Sequence, residues 1–443
     1  MKNDGSIEFE TIKSHKNRLY FLCGFVCVVV LLVVFVVTRS HAKYRVTESI
    51  PLVNGTINYT LPDLNIVGLY IDGVEAEELD SSKTYTLDTT QSTCTYKDGT
   101  EIPNLSISYD SETGGLSISP YTTKGTKCTL YFNEQTFVKD ALLANYSTQT
   151  TRTNFRTTVT NTTTGTIYYA DTSKGRTYYF AGNPTDNWVR WAGFYWRIIR
   201  INEDGTIRMI YQGTSNTATG SETQIGTSDF SRDNLYNDNM YVGYMYQSNQ
   251  VHGLTTDSLI KDELDTWYQN NLARYANDLD GNAGFCGDRT PSTSSSSINN
   301  SGGTGRTTTY YAGYVRYYGN TSLTPTFECA NDSDLYTTSG SSDGNKALQY
   351  PIGLISMDEV WYAGGYQANN RSYYLYTGQD YWSMSPRRFT SGRDAYVFYV
   401  NSNGYLDSNW VSNADGVRPA INLRADVTIS SGNGTSSNPY VVE

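Results

Sequence analysis

Phe194-Tyr195-Trp196-Arg197-Ile198-Ile199-Arg200-Ile201, then Asp204-Gly205, then Thr206-Ile207-Arg208-Met209-Ile210-Tyr211 is the stretch that decides the fold of the larger part of this chain. Two runs of β-branched and aromatic residues enclose a turn dipeptide, which predicts a β-hairpin. A type I′ turn is expected at Asp204-Gly205, because both of its central residues need positive φ and Asp-Gly tolerates that. Outward from this hairpin, Ile260, Leu264, Trp267, Tyr268 and Leu272 recur at helical spacing and predict a helix over 258–275. Ser356-Met357-Asp358-Glu359 has the spelling of a capping box, and Gly364-Gly365 stops the short helix that it starts. Tyr396-Val397-Phe398-Tyr399-Val400 returns to a strand and turns at Asn403-Gly404. Two helices among many short strands predict an α+β domain over 166–428, with an irregular Ser-, Gly- and Thr-rich insert at 287–309 and a C-terminal tail at 429–443.

Upstream, residues 141–165 are dominated by Thr, Asn, Ser and Gln and read as a linker, or as the ragged start of the next domain. Before them, residues 44–140 alternate short apolar runs with Asn54-Gly55, Asp72-Gly73, Asp98-Gly99 and Gly114-Gly115. That pattern and length predict an immunoglobulin-like β-sandwich serving as a spacer. Residues 19–37 contain no charge and no proline. At about 28 Å as a helix the run matches a bilayer core of roughly 30 Å, so residues 19–38 read as a transmembrane helix. The run is too long for a cleaved signal peptide, and Ser40-His41-Ala42 is a poor cleavage site, so it reads as an uncleaved signal anchor. Residues 1–18 are then a cytoplasmic tail and the large polar remainder lies outside the cell membrane.

Outside the span stand four cysteines, Cys94, Cys128, Cys286 and Cys329. An even set behind a signal anchor suggests two disulfides. Three connectivities are open, and proximity favours Cys94 with Cys128 and Cys286 with Cys329. The chain has 33 basic and 44 acidic residues, a net charge of −11 that repels polyanions and argues against nucleic acid as a partner. Its 39 tyrosines supply rigid rings with polar tips, suited to sugar or protein surfaces and equally to a β core poor in Leu and Ile.

Catalytic signals are sparse. His252 is the one histidine beyond the juxtamembrane stretch, which excludes a multi-histidine zinc site and makes it the only base for a Ser-His-Asp triad. Gly340-Ser341-Ser342-Asp343-Gly344 spells a nucleophile elbow without the strand and helix that an elbow needs, so a polar loop is the better reading. Asp278-Leu279-Asp280-Gly281 reads as a turn after the helix, since a calcium loop would lack ligands at both ends. No P-loop, dinucleotide fingerprint or C-x-x-C is present, and no cofactor or metal is called for.

Three segments occur in order near the C-terminus: Gly353-Leu354-Ile355-Ser356-Met357-Asp358-Glu359-Val360, Tyr381-Trp382-Ser383-Met384-Ser385-Pro386, and Gly416-Val417-Arg418-Pro419-Ala420-Ile421-Asn422-Leu423. This order resembles an uncharacterised family of bacterial extracellular domains, itself similar to the C-type-lectin-like fold of formylglycine-generating enzyme. The resemblance extends back through Trp196-Arg197-Ile198-Ile199, Leu264-Asp265-Thr266-Trp267-Tyr268 and Gly284-Phe285-Cys286-Gly287-Asp288-Arg289. It implies a C-type-lectin-like/formylglycine-generating-enzyme-like domain. It does not imply the oxidase, because no cysteine follows Cys329, nor calcium-dependent sugar binding, because the Glu-Pro-Asn, Gln-Pro-Asp and Trp-Asn-Asp motifs are missing.

The expected function is that of a single-pass cell-surface protein with a non-catalytic recognition domain, adhesin-like and binding an extracellular glycan or protein. Ligand contacts are expected from Arg387, Arg388, Phe389 and Asp394 on one loop and from Tyr405 and Trp410 on another, where large aromatics stand among polar residues. Arg418 is expected to be buried and tied to a carboxylate, with Trp196 and Trp382 in the core. Two alternatives are an envelope enzyme using Asp358, Glu359 or Asp394 as acid and base, and a structural envelope protein.

Overall fold

The structure, a computed structural model, describes residues 64–81, 83–111, 113–120, 125–292, 302–319, 324–390 and 394–442. The expected anchor at 19–38 and the tail at 1–18 lie outside the described residues. Among the described residues no helix is long and apolar enough to cross a membrane. The chain divides into two compact units at Gln135/Thr136, and the described residues are sheet-rich in both, with few helices.

In the first unit, strand Thr126–Gln135 is central. Thr126, Cys128, Leu130 and Phe132 alternate inward along it, the period of two that pleating imposes. Strand Leu64–Ile71 runs parallel to it, while Thr84–Leu87 and Thr93–Tyr96 pair with it antiparallel. Cys94 and Cys128 stand directly opposite each other in that register and form a disulfide. A hairpin of Ser106–Asp110 and Gly115–Ser119 packs on this sheet through Tyr109, whose ring lies 4.9 Å from that of Phe132. Asp72-Gly73 has positive φ at both residues, 50° and 79°, the geometry of a type I′ turn.

The second unit grows from the hairpin of strands Phe194–Ile201 and Ile207–Gly213. Its turn differs from expectation. Gly205 alone is left-handed, at φ 88°, and its N–H donates to the Asn202 carbonyl across a longer loop. Asn202 Nδ2 donates to Thr206 Oγ1 and the Asn202 N–H to the Thr206 carbonyl, which favours a wider turn ending in one left-handed glycine. Both faces of the hairpin are covered, so its residues are buried almost without alternation. A nine-stranded sheet forms around it, and a six-stranded sheet is built on Tyr381–Thr390 and Asp394–Val400.

Helices α1 (Val138–Ala144), α2 (Leu259–Asn271), α3 (Ala312–Tyr318) and α4 (Met357–Ala363) complete the unit. Ser258 caps α2 by accepting from Lys261 N, and Ile260, Leu264, Tyr268 and Leu272 are buried as the stripe required. Ser356 and Glu359 form the expected capping box, and Gly364 closes α4 at φ 113°. Helix α3 carries no sequence signal of the kind that marked α2 and α4.

Residues 136–165 pack within the second unit. Val138, Leu142, Tyr146 and Phe155 belong to its core, and the Phe155 carbonyl accepts from Trp361 Nε1 at 2.6 Å. Widely spaced large residues tether this polar stretch, a signal that average composition dilutes. The segment read as a C-terminal tail is likewise structural. Strand Tyr440–Val442 pairs parallel with Trp188–Trp191, and Tyr440 and Val442 are buried. Cys286 and Cys329 form the second disulfide.

Candidate functional site

Two places in the second unit bring chemistry together. The first is a cleft of about 230 Å³ lined by Arg200, Arg208, Arg316, Asp358, Glu359 and the Cys286–Cys329 bridge. The hairpin supplies Arg200 and Arg208, and the first turn of α4 supplies both carboxylates. Glu359 Oε1 lies 3.0 Å from Arg208 Nε and 3.4 Å from Arg200 Nε, and Oε2 accepts from the Ser356 N–H at 2.9 Å. Arg208 Nε is off the hydrogen-bond line, so that contact is an ion pair; Arg208 Nη2 donates to Oε2 at 3.3 Å. Asp358 takes Arg316 Nη2 at 2.7 Å and the Thr326 N–H at 3.1 Å, while Arg316 Nη1 reaches Asp288 at 3.2 Å.

Burial alone would raise the Glu359 carboxyl, but Arg208, Arg200 and the Ser356 N–H outweigh it and hold the group below the usual range. A general acid near neutral pH needs the opposite shift. Asp358 and Glu359 are thus held by separate arginines and do not face each other as an acid–base pair. Asp394, the third carboxylate of that reading, is not part of the cleft lining.

The other catalytic candidates resolve in the same way. His252 Nδ1 bonds Asp334 at 2.9 Å, and its Nε2 is 3.2 Å from Asn331 Nδ2, so both ring nitrogens are engaged and, among the described residues, no serine completes a triad. Residues 340–344 form a turn in which Thr337 Oγ1 donates to the Asp343 carbonyl. Asp278 accepts from Trp191 Nε1, and Asp280 caps the turn at Asn282 and Ala283. Among the described residues no group of His, Cys, Asp and Glu could hold a metal ion.

The second place is a ladder across four strands of the six-stranded sheet. Tyr310 stands opposite Arg388, Arg388 opposite Tyr396, and Tyr396 opposite Trp410. Residues directly opposite share a face, so the four side chains form a row at the strand spacing of about 4.8 Å. The Arg388 guanidinium lies 4.7 Å from the Tyr396 ring centre, and the Tyr396 and Trp410 rings meet edge to face at 6.3 Å. Trp410 is 47% exposed and Tyr236 40%, and they are the exposed large hydrophobic residues among the described residues of this unit. Both flank one position: the Ala395 N–H donates to the Tyr236 carbonyl, and the Ala395 carbonyl accepts from Val411 N. Beside the ladder, Arg387 stacks on Tyr314 and Tyr318 of α3, at 5.1 and 4.9 Å. Among the described residues neither Arg387 nor Arg388 forms an ion pair, and the Nε of each is buried without a hydrogen bond.

No family model, curated protein or solved structure matches this chain.

Of the expected contact residues, Arg388 and Trp410 are brought together through Tyr396, and Arg387 stands beside them. Phe389 is a correction. It lies inside strand Tyr381–Thr390 with no exposed surface, because an apolar ring next to two arginines takes the inward face of the pleat. Asp394 begins the next strand opposite Thr390, and Tyr405 lies in the turn before strand Leu406–Trp410, both partly buried. The two segments are strands over most of their length, not loops; residues 391–393 lie outside the described residues. Sequence reasoning missed Tyr310, Tyr396 and Tyr236. A hairpin centred on Asn403-Gly404 would have placed Trp410 opposite Tyr396 by register alone.

Arg418 is fully buried, as expected, but it is not tied to a carboxylate. It donates to the carbonyls of Tyr211 and Leu375 and to Gln212 Oε1, and stacks on Tyr381 at 4.7 Å. Carbonyls converge there from strand Ile207–Gly213 and the 370–380 loop, so the fork spends its donors on backbone. Trp196 and Trp382 are core residues.

Asp415, in the same sheet, makes a pH test. Burial raises its carboxyl to about 6; the hydrogen bond from Asn409 opposes this, and Asp380 and Asp229 add to it. A carboxyl raised in the folded state binds its proton more tightly than the unfolded chain does, so its contribution to stability falls as pH rises from about 4 to 6. Asp415→Asn is expected to leave stability at pH 4 nearly unchanged and to raise it at pH 7.5 by about 1–2 kcal/mol. Denaturant unfolding at the two pH values reads the difference, and an equal effect at both would show that Asp415 does not titrate in this way.

Proposed function

We propose that this chain is a single-pass bacterial cell-surface protein whose second unit is a non-catalytic, C-type-lectin-like recognition domain for an extracellular glycan or protein. In this reading residues 19–38 anchor the chain, and the first unit is an immunoglobulin-like β-sandwich spacer. One observation carries it: the Tyr310–Arg388–Tyr396–Trp410 row, ending in an exposed indole. Exposed aromatics next to guanidiniums that no carboxylate neutralises among the described residues are the composition of binding hot spots rather than of inert surface. Two of the three carboxylates that an envelope enzyme would draw on, Glu359 and Asp358, are meanwhile occupied by Arg200, Arg208 and Arg316.

The test is binding of the full chain, purified in detergent, to an oligosaccharide array, to mucin and to peptidoglycan fragments. Trp410→Ala and Tyr396→Ala are each expected to weaken saturable binding at least about tenfold, the size of a hot-spot residue, with unfolding midpoints unchanged. Phe389 is left intact, since its truncation would empty part of the core. Binding that survives both substitutions would move the site elsewhere; absence of binding to every probe would remove the glycan form of the reading.

A further inference from the structure

The ladder also specifies the charge of its ligand. Arg388 lies in register between two tyrosines, with its guanidinium over the Tyr396 ring, and makes no ion pair among the described residues. Elsewhere in this unit partly or fully buried arginines have their donors engaged: Arg200, Arg208, Arg289 and Arg316 by carboxylates, Arg418 by carbonyls. The chain as a whole carries −11, so acidic partners for a guanidinium are plentiful, yet among the described residues Arg387 and Arg388 are without one. A guanidinium whose face is taken by an aromatic ring keeps its in-plane donors for a planar bidentate acceptor, and a carboxylate matches that geometry.

From these observations we infer that the ligand is a short acidic saccharide, its carboxylate on Arg388 and the apolar face of a neighbouring sugar ring on Trp410. The inference rests on the recognition reading above. The row sets the length: Arg388 and Trp410 are two strand spacings apart, about 10 Å, so the anionic and stacking contacts fall on different sugar units. Net charge sets the size. A field of −11 repels a long polyanion, whereas a single carboxylate delivered to an unpaired arginine is a local interaction at contact distance. Arg387, seated on Tyr314 and Tyr318 next door, adds positive potential without needing contact.

The experiment titrates the full chain in detergent with matched pairs: trigalacturonate against its methyl ester, and 3′-sialyllactose against lactose, with hexaglutamate as an acidic peptide. At least one acidic sugar is expected to bind at least tenfold more tightly than its neutral partner. Arg388→Gln is expected to abolish that preference while keeping weak binding of both, and Trp410→Ala to weaken both. Equal affinity for acidic and neutral members, or a preference that survives Arg388→Gln, would overturn the acidic assignment and leave recognition standing. Tighter binding of hexaglutamate than of every sugar would overturn it in favour of a protein partner. If no probe binds and the wider array and mucin tests are also negative, the glycan form of recognition fails together with it.

Discussion

Glu359→Ala is expected to destabilise the second unit by about 3–5 kcal/mol, the cost of removing one partner from a buried ion-pair cluster and leaving Arg208 without a carboxylate among the described residues, while Arg200 keeps Glu203 at 3.4 Å. Glu359 is the one carboxylate against both Arg200 and Arg208, and Arg208 is almost wholly enclosed. Its removal would leave two guanidiniums facing each other across a void. All seven tryptophans fall between residues 188 and 410, so tryptophan fluorescence during denaturant unfolding of the full chain follows the second unit alone. The effect should depend on pH. The folded-state Glu359 carboxyl is held below its usual value, so its contribution is fully present at neutral pH and is lost as pH falls through and below the ordinary carboxylate range. The direction is opposite to that of Asp415. A loss under about 1 kcal/mol at pH 7 would mean that solvent reaches the network and screens it.

Cys286→Ala with Cys329→Ala is expected to cost the second unit about 2–4 kcal/mol. The two cysteines are 43 residues apart, and closing a loop of that length removes unfolded-chain entropy worth about 4 kcal/mol on the chain-entropy account. Both half-cystines line the arginine cleft, so the bridge also fixes strand Phe285–Cys286 against the segment that carries Phe327 and Glu328. Removing the other bridge with Cys94→Ala and Cys128→Ala should leave the tryptophan-detected transition where it is, since that bridge lies in the first unit. A shift of that transition by the Cys94/Cys128 variant would show that the two units do not unfold independently. No shift with the Cys286/Cys329 variant would show that the loop is already held closed by its packing.

Legibility in the sequence followed the range of each signal. The α2 stripe, the α4 capping box and Gly364, and the Asp72-Gly73 turn each depend on a few neighbouring residues, and each is where the sequence placed it. The pairing of cysteines by proximity was legible for the same reason. Asp204-Gly205 misled because the Asn202 and Thr206 side chains, one step further out, select a wider loop. Helix α3 was not legible: Ala312–Tyr318 is a single short run whose tyrosines also suit a strand, and its packing against Arg387 and Phe398 decides the matter. For the candidate site, Arg388 and Trp410 were readable as large polar-flanked residues. Phe389 was not readable as core, because the choice of face depends on a bulge between Pro386 and Arg388.

By itself the sequence determined the α+β, sheet-rich character, the local start and stop of its stronger helices, a favoured but not unique pairing of the cysteines, and an acidic composition poor in catalytic groups. These follow from composition and from interactions within a few residues. Only the tertiary structure decided that Glu359 is consumed by Arg200 and Arg208, that Arg418 is held by carbonyls, and that Tyr310, Arg388, Tyr396 and Trp410 form one row. Those outcomes depend on strand register between segments tens to hundreds of residues apart. A shift of one residue would turn each side chain to the opposite face.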